Sequence, residues 1–331
     1  MLDQWLITVS AVISVFTVIA VGAAARWGGW LSEEADQSLM KIILGLLFPC
    51  LIFSSVSNNP ALREVGNLAW ATVVGAGGIG LGLIVGTFVL RLGPQFFGLE
   101  TRGQQRTFVL SVAFFNYAFV PIPLIELLFD EATLGVMFVH NVGAGLLCYS
   151  LGIALMSEKP ERDWWKQMLN GPTIATAVAL VANWSGFGAL MVERLVFLDQ
   201  AVRWLGQASV PISLLAIGAV TADQFGPDGG GISRGNSTRM IVAACVLRLL
   251  ILPALMLTAA AYLPISDLLC RVMVIMAAMP SATFSIILAR HYGGVPGVAL
   301  RVALSTSIVS LATIPLWIAI GMRVTGLGVG P

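Results

Sequence analysis

The sequence predicts an all-α integral membrane protein of about ten transmembrane helices. They form two inverted five-helix repeats whose fourth and ninth helices are broken and cross. Three observations carry this prediction. The composition suits a bilayer, ten apolar stretches are long enough to span one, and prolines interrupt two of them at mid-depth in equivalent positions of the two halves.

The 331 residues are 57% hydrophobic and 11% charged, with a mean hydropathy of +0.90. A soluble domain carries about 25% charge, so this chain has too little polar surface to face water. Its formal net charge of +1 argues against an electrostatic reader of nucleic acid. The lipid bilayer, and no nucleic acid, is the expected surrounding. Cys50, Cys148, Cys245 and Cys270 lie in or beside apolar runs without CxxC spacing, which reads as packing and not as disulfides or zinc ligands. No Lys or Arg precedes the first apolar run, so it reads as a span and not as a cleavable signal peptide.

A crossing needs about 20 apolar residues. On that rule the spans fall near 5–25, 39–56, 66–90, 106–129, 132–156, 172–192, 202–221, 239–263, 267–289 and 298–321. Residues 1–156 form the first repeat, 157–171 a cytoplasmic linker and 172–331 the second repeat. The other long linker, Ala222–Thr238, contains Gly226-Pro227-Asp228-Gly229-Gly230-Gly231 and reads as a flexible loop. Orientation follows from Lys and Arg near span ends. With the N-terminus outside, twelve lie on cytoplasmic loops (Lys159, Arg162 and Arg234 among them) and five outside, with Arg248 inside a span. Both termini outside, in a bacterial inner membrane, is the expected placement.

Taken in order, the second span carries Leu47-Phe48-Pro49-Cys50-Leu51-Ile52, which resembles Ser209-Val210-Pro211-Ile212-Ser213-Leu214 of the seventh. The third holds Gly75, Gly77, Gly78, Gly80, Gly82 and Gly86, a small-residue pattern for close helix approach or a dimer face. No strand precedes them, so they are not a dinucleotide fingerprint. The fourth contains Phe115-Asn116-Tyr117-Ala118-Phe119-Val120-Pro121-Ile122-Pro123. Each proline lacks an N–H and crowds the carbonyl four residues back. Such a break survives in hydrocarbon only where it is buried in protein or lines a wet cavity. Asn116 to Pro121 lies about 16–24 Å along the span, and Pro280 of the ninth about 20 Å along from the opposite face. Two helices broken at one level from opposite directions can cross there and turn free N–H and C=O groups toward a ligand.

The candidate substrate-binding residues are Asn116, Tyr117, Pro121, Pro123, Asn141, Pro280, Ser281 and Thr283. Asn116 both donates and accepts, which suits a carboxylate or an ion; interhelical packing is the alternative. Tyr117 either caps the cavity or belongs to the core. Ser281 and Thr283 flank the ninth-span break as ligands or as packing hydroxyls. His140 and Arg248 are the candidates for coupling or charge relay. A titratable side chain about 12 Å deep is a functional hypothesis by default. A neutral His bonded to a neighbouring helix is the alternative at His140. Arg248, about 14 Å in, must find a carboxylate, helix-end carbonyls or an anionic substrate, with bracing favoured over substrate contact. Glu126 reads as interfacial, and Arg301 is close enough to the surface to snorkel.

Several stretches together resemble the auxin efflux carrier family: Leu46-Leu47-Phe48-Pro49-Cys50-Leu51-Ile52-Phe53 with Ser57-Asn58-Asn59-Pro60, Asn116 with Ile122-Pro123-Leu124, Arg248 to Pro253, and Met279-Pro280-Ser281-Ala282 with Ala289-Arg290-His291-Tyr292. The resemblance covers nearly the whole chain. It implies a fold shared with bile-acid/sodium symporters, in which spans 1, 2, 6 and 7 form a scaffold and a transport part carries the crossed fourth and ninth. It also implies small organic anions as substrates, auxins in the plant branch and dicarboxylates such as malate or malonate in bacterial members. The short linker looks bacterial. Val120-Pro121 replaces a Gly-containing link, and Ser285 stands where plant members have a second proline, implying a softer crossover in the ninth helix. The reading is a secondary carrier of a small organic anion by alternating access, not an enzyme. It has no cofactor beyond H+ or Na+ as a coupling ion and could form a homodimer. The alternatives are a sodium-coupled importer of the bile-acid-symporter kind and a non-transporting membrane scaffold or sensor.

Overall fold

The computed structural model describes residues 2–91, 93–156, 166, 168–224 and 237–328. Most of both long linkers, with Gly226–Gly231, Lys159, Arg162 and Arg234, lies outside the described residues. Among the described residues the chain is all-helical, with no strand beyond one isolated antiparallel bridge between Phe115 and Ser281.

The elements in order are α1 (Leu2–Trp27), α2 (Glu33–Ile42), α3 (Phe48–Val56), α4 (Val65–Arg91), α5 (Arg102–Ala113), α6 (Pro121–Leu128), α7 (Glu131–Leu147), α8 (Ile153–Met156), α9 (Gly171–Ser185), α10 (Phe187–Arg194), α11 (Val196–Gln224), α12 (Ser237–Val246), α13 (Leu252–Tyr262), α14 (Asp267–Ala278), α15 (Phe284–His291) and α16 (Pro296–Thr325). Wider π-helical turns join α2 to α3, α7 to α8 and α12 to α13 without breaking the rod. Among the described residues, seven helices are long and apolar enough to cross a membrane: Trp5–Trp27, Glu33–Val56, Val65–Arg91, Glu131–Met156, Val196–Asp223, Thr238–Tyr262 and Pro296–Thr325. The pair α9 and α10 is long and apolar enough only when taken together, and it bends by 79°, as a broken span or a re-entrant loop does.

The expected ten therefore resolve differently. The sixth stretch, read as one span near 172–192, is bent: Gly186 takes the left-handed conformation at φ 78° and turns the chain between α9 and α10. The fourth and ninth stretches are pairs of short helices, 12 and 8 residues in each case. Neither half alone crosses a bilayer.

The starts of these elements are written locally. Thr101 and Gln104 form a capping box at α5, satisfying orphan N–H groups reciprocally. Asp130, Asn170 and Ser266 cap α7, α9 and α14 with their side-chain oxygens. Pro253 lacks the N–H that would reach Leu249 in the preceding turn, and the Trp317 indole N–H donates to that carbonyl at 2.6 Å instead.

Packing sorts the helices into two groups, which meet where α1 touches α6 and α16 and where α3 touches α7. In one, α1 packs along α11, and α3 along α9 and α11. In the other, α4 packs along α7, while α16 packs against α12, α13 and α14. The α1–α11 contact corresponds to α9–α3 in the other half, and α4–α7 corresponds to α12/α13–α16, as a two-repeat arrangement requires. The close α4–α7 approach depends on glycine. A Cβ on Gly75 would overlap the His140 carbonyl, and one on Gly143 would overlap that of Thr72. Gly78, Gly82 and Gly86 likewise face Phe115, Ala113 and Val109. The third-span glycines thus serve packing within the chain, and Gly77 alone of those six has open space at its Cβ position.

Candidate functional site: the crossing of two broken helices

The break between α5 and α6 begins at Phe114, whose backbone turns extended (φ −88°, ψ 99°). It ends at Pro121, which occupies the first helical turn of α6, where its missing N–H costs nothing. The break between α14 and α15 spans Met279 to Thr283. The two meet as an antiparallel bridge. Asn116 N donates to Pro280 O at 2.9 Å, and Ala282 N donates to Phe114 O at 2.7 Å. The two breaks are satisfying each other's backbone. The ninth-span break forms without a second proline, and the Ser285 hydroxyl bonds Ala282 O at 2.8 Å.

Around this bridge the predicted residues gather. Asn116 Oδ1 accepts from the N–H groups of Ala118 (3.4 Å) and Phe119 (3.2 Å), holding the turn that leads into α6. Its Nδ2 donates to no protein group among the described residues. Pro121 removes the donor that would take the Tyr117 carbonyl four residues back, and Asn141 Nδ2 takes it at 2.7 Å. Asn141 Oδ1 lies 3.2 Å from His140 Nδ1. Because that oxygen can only accept, Nδ1 carries the proton and Nε2 is left as an acceptor. His140 is fully buried, and Nε2 has no partner among the described residues. His140 therefore reaches the break through Asn141, as one chain of bonds from α7.

Tyr117 is half-buried and meets Phe114 and Phe115 edge-on, with ring centroids 5.5 and 6.3 Å away. Pro121, Pro123, Pro280 and Ser281 are buried. Thr283 is separated from them: it is exposed at the start of α15 and caps nothing with its side chain.

Arg248 sits in the π-helical turn between α12 and α13 and is fully buried. Its Nε donates to Met279 O at 2.8 Å and its Nη2 to Met276 O at 3.1 Å. These are carbonyls at the C-terminal end of α14, where a cation is favoured by the helix dipole. The guanidinium carbon stands 4.7 Å from the centre of the Phe115 ring, within cation–π range. Of the three partners foreseen for Arg248, the structure fills the helix-end carbonyls. A buried Arg at such depth costs at least about 2.5 kcal/mol.

Two participants had escaped the sequence reading. Phe115 touches Arg248, His140 (6.4 Å between ring centres) and Tyr117. Thr306 of α16 accepts the Ser281 N–H on its Oγ1 at 3.2 Å. Phe115 stands in the quoted break yet carries no polar signal, and Thr306 is one hydroxyl among several in its span.

A cavity of about 210 Å³ lies beside the C-terminal end of α6, lined by Ser54 and Ser55 of α3, Glu126, Asp130 and Glu131, and Arg203 and Gln207 of α11. It is away from the bridge, at the seam between the two groups of helices. Arg203 bonds Glu131 across this seam at 3.1 Å and Asp199 on its own helix at 2.9 Å. The Asp130 carboxylate lies in the connection between α6 and α7. Burial pushes its pKa up, but bonds from Thr133 and the nearby Arg271 outweigh that and hold it below the usual range.

A family model described as membrane transport protein matches residues 7–163 and 158–318. The chain belongs to this family, the auxin efflux carriers. It is 23% identical over 321 residues to an uncharacterized transporter of Methanocaldococcus jannaschii, covering 94% of this chain and 98% of that one. It is likewise 23% identical over 312 residues to an uncharacterized transporter of Methanothermobacter thermautotrophicus, covering 92% and 96%. The family likeness expected from Asn116, Ile122-Pro123, Arg248 and Met279-Pro280 thus extends over the whole chain.

Proposed function

We propose that this member of the family is a secondary carrier that moves a small organic anion by alternating access. The observation that carries the reading is the antiparallel bridge between the breaks at Asn116 and Pro280. Broken helices at one level of both halves have a known use in secondary transporters, where helix ends and unwound backbone hold the solute. The half-buried Asn116 Nδ2 supplies a donor for a carboxylate at that level. On this reading the broken fourth and ninth stretches count as spans, giving ten in two inverted repeats, with 1–156 and 172–331 as the halves and both termini outside a bacterial inner membrane. The group α4–α8 with α12–α16 moves against α1–α3 with α9–α11. His140, behind Asn141, is the group through which H+ would couple to the crossing.

Proteoliposome counterflow tests this. Purified protein preloaded with unlabelled malonate or phenylacetate should accumulate the labelled anion transiently, which a channel or a sensor does not do. In a background without the four native cysteines, Glu131→Cys with Arg203→Cys should stop that exchange when joined by a short bifunctional maleimide. Exchange that continues in the fully joined protein contradicts movement between the two groups.

A further inference from the structure

We propose that Arg248 is the counter-charge of the transported anion, so that the crossing is neutral when loaded and carries one positive charge when empty. This deepens the carrier reading and rests on it. Arg248 is fully buried, with 0% exposure. Arginine stays protonated in proteins, so its charge must be balanced or tolerated where it stands. Its partners are two carbonyls, Met279 O and Met276 O, and the face of Phe115. All of these are dipoles or quadrupoles, and none carries a charge. No carboxylate pairs with Arg248 among the described residues. By contrast, Arg26, Arg203 and Arg271 each meet Asp or Glu.

The fork is also incompletely used. Nη1 is buried and has no hydrogen-bond partner among the described residues. Ser281 Oγ, two residues beyond the Met279 carbonyl that Arg248 holds, is likewise buried and unpartnered. A guanidinium donor and a hydroxyl donor, both idle and both tied to the same break, match the two oxygens of one carboxylate. Phe115 links the two: its backbone pairs with Ser281 in the bridge, and its ring lies against the Arg248 guanidinium. A site with one fixed positive charge takes a monocarboxylate as it is. It takes a dicarboxylate with one proton or one accompanying cation, because a second uncompensated charge would be buried.

Matched acid and amide pairs isolate the charge. Phenylacetate with phenylacetamide, and malonate with malonamide, are titrated against wild type, Arg248→Lys, Arg248→Gln and Arg248→Met in detergent, using only variants that elute as a single species with a cooperative melt. The wild type should bind at least one acid ten-fold or more tighter than its amide. Arg248→Lys should keep that preference, while Arg248→Gln and Arg248→Met should lose it even where they still bind the amide. If Arg248 only braces α14, removing it lowers the melting temperature and leaves the acid-to-amide ratio where it was, which overturns the proposal. Should Gln and Met variants fail to fold, loss of the preference in Arg248→Lys overturns it and retention supports it. A wild type with no acid preference for either pair overturns the anion reading itself, and this inference with it.

Discussion

The Asn116 N–H donates to the Pro280 carbonyl at 2.9 Å, so residues 164 positions apart in the chain join two broken helices by backbone alone. The reciprocal bond from Ala282 N to Phe114 O closes the pair. Backbone satisfied in this way can sit at membrane depth without helical geometry. Asn116 then has its side-chain Nδ2 to spare, while its Oδ1 holds the turn into α6.

The bridge depends on a hydroxyl outside it. Thr306 Oγ1 accepts the Ser281 N–H and in turn donates to Val302 O at 2.7 Å. Thr306→Val should leave a buried N–H unpaired and cost about 1–3 kcal/mol, whereas Thr306→Ser should restore most of it. Thermal melts in detergent read both. A Thr306→Val protein as stable as the wild type would mean that Ser281 N finds another acceptor.

Glycine spacing in α4 and α7 makes a second, contrasting expectation. Gly75→Ala and Gly143→Ala each place a methyl against backbone of the facing helix, an overpacking that costs about 1–3 kcal/mol. Gly77→Ala enters open space and should be neutral or slightly stabilising, since alanine favours helix over glycine. Equal melting temperatures for Gly75→Ala and Gly77→Ala would contradict the packing described.

Asp130 caps α7 and pairs with Arg271 at 3.0 Å. Its folded pKa lies below the ordinary value, near 3.9 in an unfolded chain. The stability it contributes is therefore complete above about pH 4 and is lost as pH falls through the folded value. The wild-type melting temperature should drop more steeply below about pH 4 than that of Asp130→Asn. Parallel curves would show that this carboxylate is not the one that titrates.

Much of this architecture was legible because bilayers impose length. Runs such as 66–90 and 132–156 need only be apolar and long, and they return as Val65–Arg91 and Glu131–Met156. The fourth-span break was legible because Pro121 and Pro123 cannot both continue a helix, and its partner because Pro280 lies at the matching depth. The bend between α9 and α10 was not, since a single Gly186 inside an apolar run carries no charge or proline to announce 79°. Site membership was legible only where chemistry is local. Asn116 and Asn141 stand out as amides in apolar spans, but which carbonyl Asn141 would reach depends on a contact 24 residues away. Thr283 looked equivalent to Ser281, yet two residues of non-helical backbone turn one outward and the other inward.

The central claim is that the crossing at Asn116 holds the transported anion, and counterflow of labelled malonate and phenylacetate by Asn116→Ala tests it most directly. A hydrogen bond to a charged group is worth about 1.5–3 kcal/mol, so the variant, still folded by its melt, should lose roughly ten-fold or more in apparent affinity for whichever anion the wild type exchanges. Unchanged exchange of that anion by folded Asn116→Ala would contradict the account.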